Sequence, residues 1–148
     1  MSILADELRK PQYQNLSDQA AADAINAKTV TVEIVVPIWQ IKEHAIVNGY
    51  WPLVKAGQLD ANPTKAGLCL SVIDWIDDPK IQTIDVHLGA VQQMLGGLTS
   101  FGLMTSAQAA EIVAMGYKTV SWTSIVGLPE VGVGLVQNAR KEIAGVTN

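Results

Sequence analysis

Between Ile81 and Ala139 the chain carries only four ionic side chains, Asp85, Glu111, Lys118 and Glu130, with His87 as a fifth titratable group. A stretch like this constrains the fold, because a monomer in water solvates its surface with interspersed Lys, Arg, Asp and Glu. Segments without them lie inside, are covered by another molecule, or are clothed in small and amide side chains that stay soluble without charge. The shortage also holds for the chain as a whole. Charged residues are 16% of its 148 residues, against about 25% in ordinary soluble domains. The hydrophobic fraction of 49% is within the normal range, so the deficit lies in surface chemistry. Cover by other protein is the favoured reading, since charged residues are depleted from interface cores and exposed apolar patches mark partners.

A chain of this length suits one domain, with residues 1–28 able to form a semi-independent N-terminal arm. Its single cysteine, Cys69, excludes an intramolecular disulfide and a cysteine-rich zinc site. A net charge of -4 weighs against a nucleic-acid partner. No apolar run approaches the ~20 residues of a membrane-spanning helix. The opening Met-Ser-Ile-Leu-Ala-Asp-Glu carries acids where a secretion signal needs a basic and then an apolar stretch. These features lead us to expect a soluble intracellular protein with no membrane partner.

The periodicity is mainly helical. Ser2 caps a short helix ended by Pro11, and Ser17-Asp18 begins a second through about Asn26. Thr29–Val36 then alternates as a strand, with Val30, Val32, Ile34 and Val36 on one face. Pro37 opens a helix with Ile38, Ile41 and Ala45 inward, stopped at Asn48-Gly49. Further helices are expected over about 51–59, Pro63–Asp77 (stripe Ala66, Leu70, Ile73), Val86–Phe101 (Leu88, Val91, Leu95, Leu98), 105–114 from a Thr105/Gln108 capping box, and Val133–Ala144 (Leu135, Val136, Ala139, Ile143). Tyr117–Val126 reads two ways, as an alternating strand or as a turn of helix capped by Ser121 and ended by Gly127. The expected fold is a compact bundle of about six or seven short helices with one β-strand or a small two-stranded element. A lone strand needs a second row of donors and acceptors, from Tyr117–Val126 or from a neighbouring molecule.

No set of residues reads as an active site, a cofactor site or a metal site. His44 and His87 read as structural, and Asp85 two residues before His87 fits helix capping better than a dyad. Asp74, Asp77 and Asp78 lack the glycine-centred loop of a calcium site. Cys69 has no base near it in sequence, Ser121 and Ser124 lack a Gly-x-Ser-x-Gly setting, and Gly132-Val133-Gly134 is too short for a nucleotide fingerprint. Gly96-Gly97 inside a helix points to close approach of another helix or to a kink. Trp39, Trp51, Trp75 and Trp122 fit core and interface packing better than a stacking surface. The expected contact residues are Val30, Val32 and Ile34, through strand pairing, and Trp122 as an anchor.

Several segments carry a likeness: Tyr13, Leu16-Ser17-Asp18-Gln19-Ala20-Ala21 with Ala24 and Asn26; the strand into Pro37 and the helix bearing Lys42; Met94-Leu95-Gly96-Gly97-Leu98; and Gly127-Leu128, Val131, Val136 and Ala139-Arg140. Together they span most of the chain, which resembles small virion-associated proteins of tailed bacteriophages. The resemblance implies a non-enzymatic structural or assembly subunit, most simply of the tail or tail fibre. Its partners would be copies of itself or other virion proteins, in the virion and, during assembly, in the host cytoplasm. A head decoration protein, or a small regulatory protein acting on a host factor, is the alternative. An enzyme would have only His44 or His87 with a nearby acid to work with.

Overall fold

The computed structural model describes residues 1–147. Among these residues the chain forms ten helices and four short strands, the mainly helical architecture that the periodicity predicts. They gather into two compact units, one made of Met1–Val32 and the chain from Thr119 on, the other of Glu33–Lys118.

In the first unit, α1 (Ile3–Leu8) begins where the Ser2 hydroxyl oxygen accepts the Ala5 N–H. Pro11 ends that run and also opens α2 (Pro11–Gln14), because a missing N–H costs nothing in a first turn. The Ser17 hydroxyl accepts the Ala20 N–H and caps α3 (Asp18–Ala27). β1 (Thr29–Glu33) pairs with β4 (Tyr117–Ser121), so the partner row comes from the chain itself. Both readings of Tyr117–Val126 hold in succession. After β4, Ser121 caps α9 (Trp122–Ile125), and Gly127 follows at φ 76°, in the left-handed region that glycine enters without strain. α10 (Val133–Thr147) packs on α1 and α3. Leu4, Ala5 and Leu8, Ala21, Ala22 and Ile25, and Val136 and Ala139 make their shared core. Two polar devices fasten it. Asn26 exchanges two 2.8 Å hydrogen bonds with the backbone of Val131, donating to its carbonyl and accepting its N–H. Arg140 donates to the Asp18 carboxylate at 2.5 Å and to the Tyr13 and Leu16 carbonyls at 3.0 and 2.8 Å.

In the second unit, β2 (Val36–Pro37) pairs antiparallel with β3 (Thr83–Ile84), a strand with no alternation long enough to read from sequence. The expected strand through Val36 therefore breaks in two at Ile34-Val35. Val36 is fully buried in the core of this unit, and Ile34 is exposed. Five helices follow: α4 (Ile38–Val47), α5 (Trp51–Gly57), α6 (Pro63–Asp77), α7 (Gly89–Ser100) and α8 (Ser106–Met115). Asn62 caps α6, and the Thr105/Gln108 capping box at α8 is complete. α7 starts three residues later than its apolar period suggests, because the Asp85 carboxylate accepts the His87 N–H and holds 85–88 as a turn. Leu88 is accordingly exposed, while Val91, Leu95 and Leu98 are buried.

The apolar stripe of α6 differs from the expected one. Leu70 faces outward, and Cys69 and Ile76 are buried, with Leu68 and Val72 packed against the core. The rotation follows from close helix approach. A Cβ on Gly57 of α5 would stand 2.5 Å from the Cys69 sulfur, and one on Gly97 of α7 would stand 2.7 Å from a Leu68 methyl. α6 thus turns Leu68 and Cys69 into notches left by glycine on both neighbours. Of the Gly96-Gly97 pair, only Gly97 serves that contact, since nothing lies within 4 Å of a Cβ on Gly96.

Candidate functional site

Three groups of side chains could carry chemistry or contacts, and each is set by the helix that presents it. The first lies in the second unit. His44, in the last turn of α4, reaches the Tyr50 hydroxyl with Nδ1 at 2.6 Å and the Glu111 carboxylate of α8 with Nε2 at 2.6 Å. A carboxylate can only accept, so Nε2–H donates to Glu111. In the neutral ring Nδ1 then accepts the Tyr50 O–H, and all three groups are satisfied. Tyr50 is 5% exposed. Burial, with the Glu111 charge adding to it, pushes its phenol up to about 12. A phenol held that high keeps its proton near neutrality and does not serve as a base there. The row therefore bridges α4, the residue before α5, and α8. Tyr50→Phe should cost about 1–2 kcal/mol, the usual penalty for a polar partner left unmet. Urea denaturation measures that cost, and the imidazole ¹⁵N shifts should change with the loss of the Nδ1 partner.

His87 has a simpler setting. Its Nε2–H donates to the Gly116 carbonyl at 2.9 Å, and its ring meets Tyr117 edge-on with centroids 4.7 Å apart. Asp85 touches the His87 backbone and not its ring, so the two make a turn. Among the described residues no three His, Cys, Asp or Glu side chains stand close enough to hold a metal ion. Asp77 is instead engaged by Lys42 at 2.9 Å. Cys69 is fully buried, and burial pushes its thiol up, away from reactive thiolate. No helix among the described residues is long and apolar enough to cross a membrane.

The second group is in the first unit. Glu7 of α1 is 4% exposed. It receives the Lys10 and Lys28 ammonium groups at 2.5 Å each and the Tyr13 hydroxyl at 2.9 Å. Burial alone would raise its carboxyl; these hydrogen bonds and the Lys28 charge outweigh burial and bring it to about 2. The Lys28 ammonium also lies over the Trp122 ring, 5.1 Å from its centroid. Both ammonium groups and the Tyr13 hydroxyl converge on one buried carboxylate, and the arrangement is that of a fastening.

The third group is apolar and exposed. Residues 38, 41 and 45 of α4 point into the core, which turns Trp39 and Ile46 outward on one flank of the helix and Val47 opposite the core, with the exposed Glu43 between them. Trp39 is 64% exposed, Ile46 55% and Val47 78%. Of the expected contact residues, Val30 and Val32 are half-buried on β1, and Trp122 packs against the core of the first unit under Lys28. Ile34, at 36%, is exposed. Trp39 was legible: the spacing that sends Ile38, Ile41 and Ala45 inward already sends it outward. No family model, curated protein or solved structure matches the chain.

Proposed function

We propose that this chain is a non-enzymatic structural or assembly subunit of a tailed-bacteriophage virion, in the tail or tail-fibre region, and works through protein–protein contacts. The observation that carries the contact reading is the outward face of α4, where Trp39, Ile46 and Val47 stand in solvent. Large aromatic side chains are the usual anchors of interfaces, and three exposed apolar residues on one helix are costly for a lone monomer to keep in water. The charge-poor stretch is clothed mostly in small and amide side chains, which stay soluble without charge, so it permits a partner without requiring one. Between Ile81 and Ala139 the exposed positions are mostly Gln, Ser, Thr, Gly and Ala, with Leu88, Tyr117, Ile125 and Leu135 among them. Such a surface loses little when it is taken out of water, because few charges must be desolvated. The virion assignment rests on the resemblance of the segments around Ser17, Gly96-Gly97 and Gly127-Leu128.

Sedimentation at rising concentration, alone and with purified tail particles, tests the contact reading. The wild-type chain should associate with itself or with the particles. The Trp39→Ser/Val47→Ser double variant should lose at least tenfold in association, with stability held within about 0.5 kcal/mol, as for surface substitutions. A wild-type chain that stays monomeric at high concentration and ignores the particles would contradict it.

A further inference from the structure

The second unit holds a partly open pocket of about 60 Å³ that exposes only apolar atoms, lying between α4, α5, α6, α7 and α8. We propose that this pocket is a binding site for a small uncharged apolar molecule. Four residues on its wall carry polar side-chain atoms, Lys42, Tyr50, Trp51 and Trp75, and none of those atoms opens onto the space. The Tyr50 hydroxyl is taken by His44 at 2.6 Å, and the Lys42 ammonium is held by Asp77 at 2.9 Å and stands over the Trp51 ring. A water molecule inside would need two to four polar partners and would find none, so the space stays dry. An apolar guest loses nothing there and restores dispersion contacts that the lining side chains lack across a void. Size sets the class of guest. An engineered apolar cavity of about 150 Å³ takes benzene or xenon, and this one is less than half as large, so it suits guests below the size of a benzene ring. Met94 and Met104 lie on the wall, and their unbranched thioether chains can shift to fit a guest of irregular outline.

Xenon is the probe, with methyl-resolved NMR of the full chain as the readout. The methyl signals of Val54, Val91, Leu95 and Ile112 should shift saturably with xenon pressure, with the exposed methyls of Val47 and Leu59 as the unshifted reference. Val91→Ile adds a methyl to the wall and should reduce those shifts at least fivefold while the circular-dichroism spectrum is retained. Val54→Ile serves the same purpose from α5 if Val91→Ile does not fold. Absence of saturable shifts in the wild-type chain would overturn the proposal. So would equal shifts in a folded filled variant, or direct magnetisation transfer from water to the lining methyls.

Discussion

Glu7→Ala is expected to destabilise the first unit by about 3 kcal/mol, the lower end of the range for breaking a buried ion pair. The lower end applies because Lys10 and Lys28 retain some access to water once the carboxylate is gone, and the cost then falls mainly on Tyr13, whose buried hydroxyl loses its acceptor. The same residue gives the unit an acid dependence with a definite sign. Its carboxyl titrates near 2 in the folded chain, against an ordinary 4.5. The unfolded chain therefore takes up a proton first as pH falls. The stability that Glu7 supplies is fully present above about pH 4.5 and is lost as pH drops from there towards 2. The interval corresponds to about 3 kcal/mol. Urea denaturation at pH 7 and pH 3 should show about 2 kcal/mol of that loss in the wild-type chain. Glu7→Gln, which keeps the shape without the charge, should be weaker at pH 7 and should flatten the slope below pH 4.5. An acid slope in Glu7→Gln equal to that of the wild-type chain would show that other carboxylates dominate.

Gly116→Ala is the second large effect, at about 3 kcal/mol on the second unit, the upper end of ordinary overpacking. Gly116 follows α8 with φ −78°, a conformation open to any residue, so what it supplies is space. An added Cβ would collide with a γ-methyl of Val86, itself fully buried, and would stand 2.9 Å from Nε2 of His87. The second contact also disturbs the hydrogen bond from His87 to the Gly116 carbonyl. Gly96→Ala is the matched control. Nothing lies within 4 Å of its added Cβ, so alanine should gain up to about 1 kcal/mol through helix propensity. Thermal melts of the two variants should move in opposite directions. A common direction would mean that propensity, and not space, governs these glycines.

Local signals survive in this sequence wherever one residue's own chemistry decides the outcome. Ser2, Ser17, Thr105 and Ser121 each cap the helix expected of them, since a side-chain oxygen three or fewer residues from free N–H groups needs no tertiary help. Gly127 likewise ends the helix it was expected to end. What was hidden depended on partners distant in sequence. Thr83–Ile84 has no alternation of its own and becomes a strand only because Val36–Pro37 lies beside it. α6 turns Cys69 inward and Leu70 outward because Gly57 and Gly97, on other helices, leave room for Cys69 and Leu68. The apolar character of α6 is spread almost all round, so its own period could not choose a face.

The candidate site was readable in the same uneven way. The outward position of Trp39 follows from the helical period of α4. The joining of His44 to Glu111, sixty-seven positions apart, has no trace in either local pattern. Trp122 offered the reverse difficulty. A tryptophan in a charge-free segment reads as an anchor for a partner, yet Trp122 packs against the core of its own unit with the Lys28 ammonium over its ring. Exposure, and not residue type, separates the two tryptophans.

The central proposal is that this chain belongs among other proteins in a phage particle, and the most direct test is quantitative mass spectrometry of purified virions of any tailed phage whose genome carries this sequence. The chain should be present at a fixed copy number per particle, in a simple ratio to a tail protein. Its absence from intact particles, while it is abundant in the infected cell, would contradict the proposal.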